Sequence, residues 1–194
     1  LNMALQRDGS VLINTLQIFG VNGVDPASVE QGLAKGRAEL PPLVAFLKQE
    51  IPGFAQAELA GHAPMLYIRE TRHIGGMSTL SVEDIFAGRV FPERIAMASY
   101  PIDIHPYVPG WISPYAPVRY VYTISLRALV PVEIDNLLVA SRSFSATSEA
   151  AGSARVIPTT MALGQAAGVA AAFCARRGCT PRELARSSAL LVEV

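Results

Sequence analysis

Apolar and polar positions along the chain alternate between two textures. Ser10 to Phe19 (SVLINTLQIF) is β-branched and apolar between Gly9 and Gly20, which predicts a strand. Asp25-Pro26 then reads as a helix start, with Asp as N-cap and Pro at the first helical position, and the helix runs through Val29, Leu33 and Arg37. Pro41-Pro42 interrupts or restarts it, Leu43 to Gln49 continues it, and Pro52-Gly53 stops it. Further strands are predicted at Met65–Arg69, Ile95–Tyr100, Tyr120–Ile124 and Leu137–Ala140. Ser81-Val82-Glu83-Asp84 resembles a capping box opening a helix that ends near Gly88. Residues 101–118, rich in proline and holding Trp111, read as a long irregular loop.

The last third is smoother. Pro158 to Arg177 is predicted as one helix, stopped at Gly178, with Arg176 and Arg177 in its last turn. It is small or apolar on every face, so it is expected to be buried all round. Gly164 and Gly168 leave a face open to close backbone contact, with a sheet or a cofactor as the expected neighbour. Thr180-Pro181-Arg182-Glu183 is a further capping signal. The apolar run Met161–Ala175 contains Gln165 and falls short of the roughly 20 residues a bilayer needs. No membrane span is expected, and the chain reads as cytoplasmic.

Composition sharpens this. Of 194 residues, 16 are Lys or Arg and 16 are Asp or Glu, giving zero formal net charge. A nucleic-acid binder working through a basic surface is thereby excluded. Charged residues are only 16% of the chain, against roughly 25% in an average soluble domain. Such a deficit implies surface covered by a partner or by more of the same protein. The two cysteines, Cys174 and Cys179, are too few for a disulfide framework or a metal cluster.

Standard catalytic signatures are absent from the sequence: no G-x-G-x-x-G after a strand, no P-loop, no G-x-S-x-G and no H-E-x-x-H. Asp103-Ile104-His105 has the spacing of two metal ligands, but no Cys/His cluster joins it, and a loop histidine with a local hydrogen bond is the plainer reading. Three local features remain. Arg69-Glu70-Thr71-Arg72-His73 follows a predicted strand and suits capture of a carboxylate, or else a solvated Arg–Glu pair. Ser141 to Arg155 is a hydroxyl-rich loop, and the helix after it offers an N-terminus to an anionic group.

Those residues carry a resemblance. Asp135 to Arg142 (DNLLVASR), Ser145-Ala146-Thr147, Gly152 to Thr159 (GSARVIPT) and Met161 to Gly168 (MALGQAAG) resemble the C-terminal cofactor signature of FAD-dependent oxidoreductases. The specific likeness is to the bacterial family distantly related to fumarate reductase and succinate dehydrogenase flavoproteins. Leu66 to Arg72 and Ser99 to His105 also resemble motifs of that family. Ser141 departs from its pattern, which commonly has Gly before the arginine.

The resemblance implies a mixed α/β (α+β) fold. Residues 1–125 would be part of a substrate or cap domain. Residues 126–194 would be the C-terminal returning segment of an FAD-binding Rossmann-like domain, whose N-terminal βαβ unit, with its glycine fingerprint, is missing. It also implies FAD as cofactor, lined by Arg142, Ser145, Thr147, Gly152, Ser153, Arg155, Thr159 and Thr160. Arg69, Arg72 and His105 would orient a small-molecule substrate that could carry a carboxylate, or assist proton transfer during hydride exchange with the flavin. The implied partner is the upstream FAD-binding part of the same protein or a self-associated copy. Two other readings stand beside it: a non-catalytic module or split-protein subunit that binds a protein partner, and a small cofactor-free enzyme using the Arg/His cluster.

Overall fold

A computed structural model describes residues 2–105, 113–115 and 120–187. The predicted loop over 101–118, with Trp111, lies largely outside them. The described chain is α+β, with helices and two small antiparallel sheets. It divides into two units, one carrying the described residues through Arg69 and the other those from Glu70 onward.

The first unit opens with a hairpin of β1 (Asn2–Leu5) and β2 (Val11–Asn14), in which Met3 faces Ile13 and Leu5 faces Val11. The tight reversal uses Gly9 at φ 85, a conformation that costs glycine no Cβ clash. Of the predicted Ser10–Phe19 strand, Val11–Asn14 is in the ladder, paired with Asn2–Leu5. Helix α1 (Pro26–Ala38) starts where predicted, the Asp25 carboxylate accepting the Ala27 N–H at 3.0 Å. Helix α2 (Leu40–Glu50) follows after Glu39 alone and carries Pro41-Pro42 in its first turn, where proline loses no helical hydrogen bond. Met65–Arg69 is not a strand. It finds no ladder partner among the described residues, and Leu66 packs instead on Gly32 of α1.

The second unit holds the larger core. Helix α3 (Val82–Phe86) is opened by the Ser81–Asp84 capping box. Strands β3 (Arg94–Ala98) and β4 (Tyr122–Ser125) pair antiparallel with a bulge near Arg94, and a 3-10 turn (Leu126–Leu129) continues β4. Helices α4 (Ser148–Ala154), α5 (Ile157–Arg177) and α6 (Pro181–Arg186) complete the unit. Ile85, Tyr122, Ile124, Leu129, Phe144, Ala150 and Leu163 are fully enclosed at its centre. Leu137–Ala140, predicted as a strand, makes one backbone bond to the core, Val139 N–H to the Leu129 carbonyl at 2.9 Å, and no ladder.

Helix α5 corrects the expectation of burial on every face. Thr159, Leu163, Ala170, Phe173 and Cys174 are buried, a stripe that packs on β3 and α6. Ile157, Met161 and Val169 are exposed at 70%, 68% and 47%, and a Cβ built on Gly164 or Gly168 meets nothing within 4 Å. The helix is long and apolar enough to cross a bilayer by length and composition, and about a third of its apolar window is buried within the unit.

Candidate functional site

Three segments distant in sequence meet around α4. Thr147 caps that helix, its hydroxyl accepting the Ala150 N–H at 3.3 Å, while its own amide donates to the Leu80 carbonyl at 2.9 Å. The preceding residues thread between two others: the Ser145 N–H donates to the Ala128 carbonyl at 2.9 Å, and the Ser145 carbonyl accepts the Leu80 N–H at 3.0 Å. Ser145 is buried, and its hydroxyl lies 2.8 Å from that of Thr79. Gly76 allows this approach, since a Cβ there would sit 2.5 Å from the Ser145 Cβ.

The segment after Arg69 docks on the same loop. His73 places Nδ1 2.9 Å from the Phe144 carbonyl and Nε2 2.9 Å from a Glu70 carboxylate oxygen. The other Glu70 oxygen accepts the Ser148 hydroxyl at 2.9 Å. So Glu70 and His73, from one segment, hold Phe144 and Ser148 of another. Sequence reading noticed the charge here and missed the docking, whose nearest signal was Gly76, where the segment passes close to Ser145.

The Ser99–His105 segment closes the third side. Ser153 is fully buried and donates its hydroxyl proton to the Tyr100 carbonyl at 2.6 Å, so it accepts from the Tyr122 hydroxyl at 2.7 Å. Burial pushes the Tyr122 phenol above its ordinary value. Asp103 N–H donates to the Gly152 carbonyl at 3.3 Å, and a Cβ on Gly152 would come within 3.0 Å of Ile104. Arg155, tucked in at 10% side-chain exposure, donates to the Asp103 carbonyl at 2.7 Å and lies 3.5 Å from its carboxylate. The other carboxylate oxygen is 3.3 Å from His105 Nε2. Arg155, Asp103 and His105 therefore form one chain of contacts, with His105 the most exposed member at 41%.

Arg69 belongs to the first unit, its guanidinium 5.5 Å from the Tyr67 ring centre, whereas Arg72 is exposed in the second. Arg142 is exposed on the loop before Ser145. Thr159 is buried in the first turn of α5, and the Thr160 hydroxyl bends back to the Ile157 carbonyl at 3.0 Å. That helix starts at Val156 with no side-chain cap, unlike α1, α3, α4 and α6, capped by Asp25, Ser81, Thr147 and Thr180. Among the described residues, no three His, Cys, Asp or Glu gather as a metal site.

The arrangement is a packed core around α4 with a few polar groups at its edge, borne on an α+β scaffold. Residues 4–192 match the family model described as FAD dependent oxidoreductase, and the chain belongs to that family. No curated protein and no solved structure matches it. The cofactor of the family is FAD. The N-terminus of α5 has no side-chain cap, Arg142 is exposed, and the glycine face of α5 meets nothing within 4 Å. The hydroxyls of Ser145, Thr147 and Ser153 make hydrogen bonds within the fold.

Proposed function

We propose that this chain is the substrate-side and returning C-terminal part of a flavoenzyme that moves a hydride between FAD and a small molecule that could carry a carboxylate. The observation that carries this reading is the convergence on α4 of the three segments that resemble the family's motifs. When bound, the flavin supplies a two-electron acceptor or donor. The chain's own residues supply position and charge. Arg142 and the first turn of α5, with Thr159 and Thr160, would face the cofactor, where a helix N-terminus favours negative charge. Ser145, Thr147, Gly152, Ser153 and Arg155 would hold that edge in place. His105, steadied by Asp103, would hold or move a proton at its imidazole, while Arg69 and Arg72 would orient an acidic substrate.

In the domain reading, residues 1–125 contribute to the substrate side and 126–194 to the cofactor side. The glycine fingerprint would come from an upstream part of the protein or from another copy, in the cytoplasm. The exposed apolar positions Ile157, Met161 and Val169 support a missing neighbour of that kind. The test is absorbance of the purified protein, alone and with its upstream reading frame. Yellow protein with bound FAD is expected when that frame is present, and weak or no binding by the isolated chain. Colourless protein that takes up no FAD under both conditions would overturn the reading.

A further inference from the structure

The two cysteines stand on either side of the end of α5. That end is made by Gly178 at φ 65 and ψ 31, and the Cys179 N–H turns back to the Cys174 carbonyl at 3.1 Å. In this kind of helix terminus, the residue after the left-handed glycine touches the residue five positions earlier. Those two positions hold Cys179 and Cys174. Their thiols hydrogen-bond each other and line one groove of about 580 Å³ with Leu137, Leu138 and Ala171. Cys174 is buried at 4% exposure, whereas Cys179 is half-buried.

We propose that Cys174 and Cys179 form a modification site, a thiol pair that closes to an intramolecular disulfide by exchange with a low-molecular-weight disulfide. The Cys179 thiol gives its proton to solvent, and its sulfur attacks one sulfur of the small disulfide. That S–S bond breaks, one small thiolate leaves, and a mixed disulfide forms. Cys174 then gives up its proton and attacks the Cys179 sulfur; the second small thiolate leaves and is protonated. In sum the protein loses two hydrogens with two electrons, and the small disulfide becomes two thiols. Burial, with the bond to Cys179, pushes the Cys174 thiol up to about 11, so Cys174 resolves the mixed disulfide and does not start the exchange. The closed bond would pin the end of α5 to the turn leading into α6.

The experiment equilibrates the full chain with mixtures of oxidised and reduced glutathione, quenches with acid and reads intact mass. Wild type is expected to lose two hydrogens without retaining glutathione. Cys174→Ser is expected to keep a glutathione adduct mapped to Cys179. Cys179→Ser is expected to react about tenfold more slowly, its remaining thiol being buried. In denaturant, closure is expected to need a mixture about tenfold more oxidising, since the contact is made by the fold. The proposal is overturned if wild type keeps both thiols in every mixture, accumulates a stable adduct, links chain to chain, or closes as readily unfolded as folded.

Discussion

The hydroxyls of Tyr122 and Ser153 meet at 2.7 Å in the buried centre of the second unit, and the Ser153 proton is committed to the Tyr100 carbonyl. Neither group has water to turn to, so the pair fixes the Ser99–His105 segment against α4. Ser153→Ala is expected to leave the Tyr122 hydroxyl and the Tyr100 carbonyl unpaired, at a cost of about 1–3 kcal/mol. Tyr122→Phe keeps the Ser153–Tyr100 bond and is expected to cost less, about 1 kcal/mol. Urea unfolding of the two variants measures the order, and a reversed order would contradict the assigned donors.

Gly76 is expected to tolerate no side chain. An added methyl would lie 2.5 Å from the Ser145 Cβ and 2.9 Å from the Ser78 carbonyl oxygen, in a place where backbone must move. Gly76→Ala should lower stability by about 1–3 kcal/mol. Gly164→Ala, with open space around it, serves as the control and should leave the unfolding midpoint of the isolated chain unchanged or raised.

Arg182 ties α6 to the segment before Leu137. Its guanidinium donates to the Pro131 carbonyl at 3.0 Å and to the Val132 carbonyl, and it pairs with Asp135 at 2.8 Å. A lysine carries the charge without the planar fork that spans these acceptors. Arg182→Lys is therefore expected to cost about 1–3 kcal/mol, read from thermal or urea midpoints.

Stability is also expected to fall at alkaline pH. The Cys174 thiol ionises near 9.0 when unfolded and near about 11 when folded, so between those values the folded chain holds a proton that the unfolded chain releases. Folding is favoured less as pH climbs through that window. Tyr122, whose ordinary value is 10.0, adds to the loss only at its upper end. Cys174→Ala should flatten the slope from pH 9 upward, measured as urea midpoint against pH.

Asp103 is expected to matter to turnover through His105. In flavin-loaded protein, Asp103→Ala should lower kcat about tenfold or more by removing the carboxylate beside His105 and Arg155. An unchanged kcat and pH profile would remove His105 from the reaction.

How much of this was legible in the sequence follows from how local each signal is. Caps act within four residues, and so Asp25, Ser81 with Asp84, Thr180 with Glu183, and the stop at Gly178 could all be read from spacing. A strand needs a partner, which its own residues do not name. Met65–Arg69 and Leu137–Ala140 have strand composition and no ladder. Uniform apolarity along α5 likewise did not tell which face would be covered, and only one is. The tail residues of the site were visible as types, but their partners Glu70, Thr79 and Tyr100 lie far off in the chain and were not.

That distance has a consequence for how the molecule is made. The bonds that seat α4 join residues 78, 71 and 53 positions apart, from Glu70–Ser148, His73–Phe144 and Tyr100–Ser153. Closing loops of that length costs chain entropy that no single one of these bonds recovers, so they form together or not at all. During synthesis, Glu70, His73 and Tyr100 emerge from the ribosome long before the residues that will satisfy them. The nascent chain must stay uncommitted until α4 arrives, and the seat then assembles in one late, cooperative step.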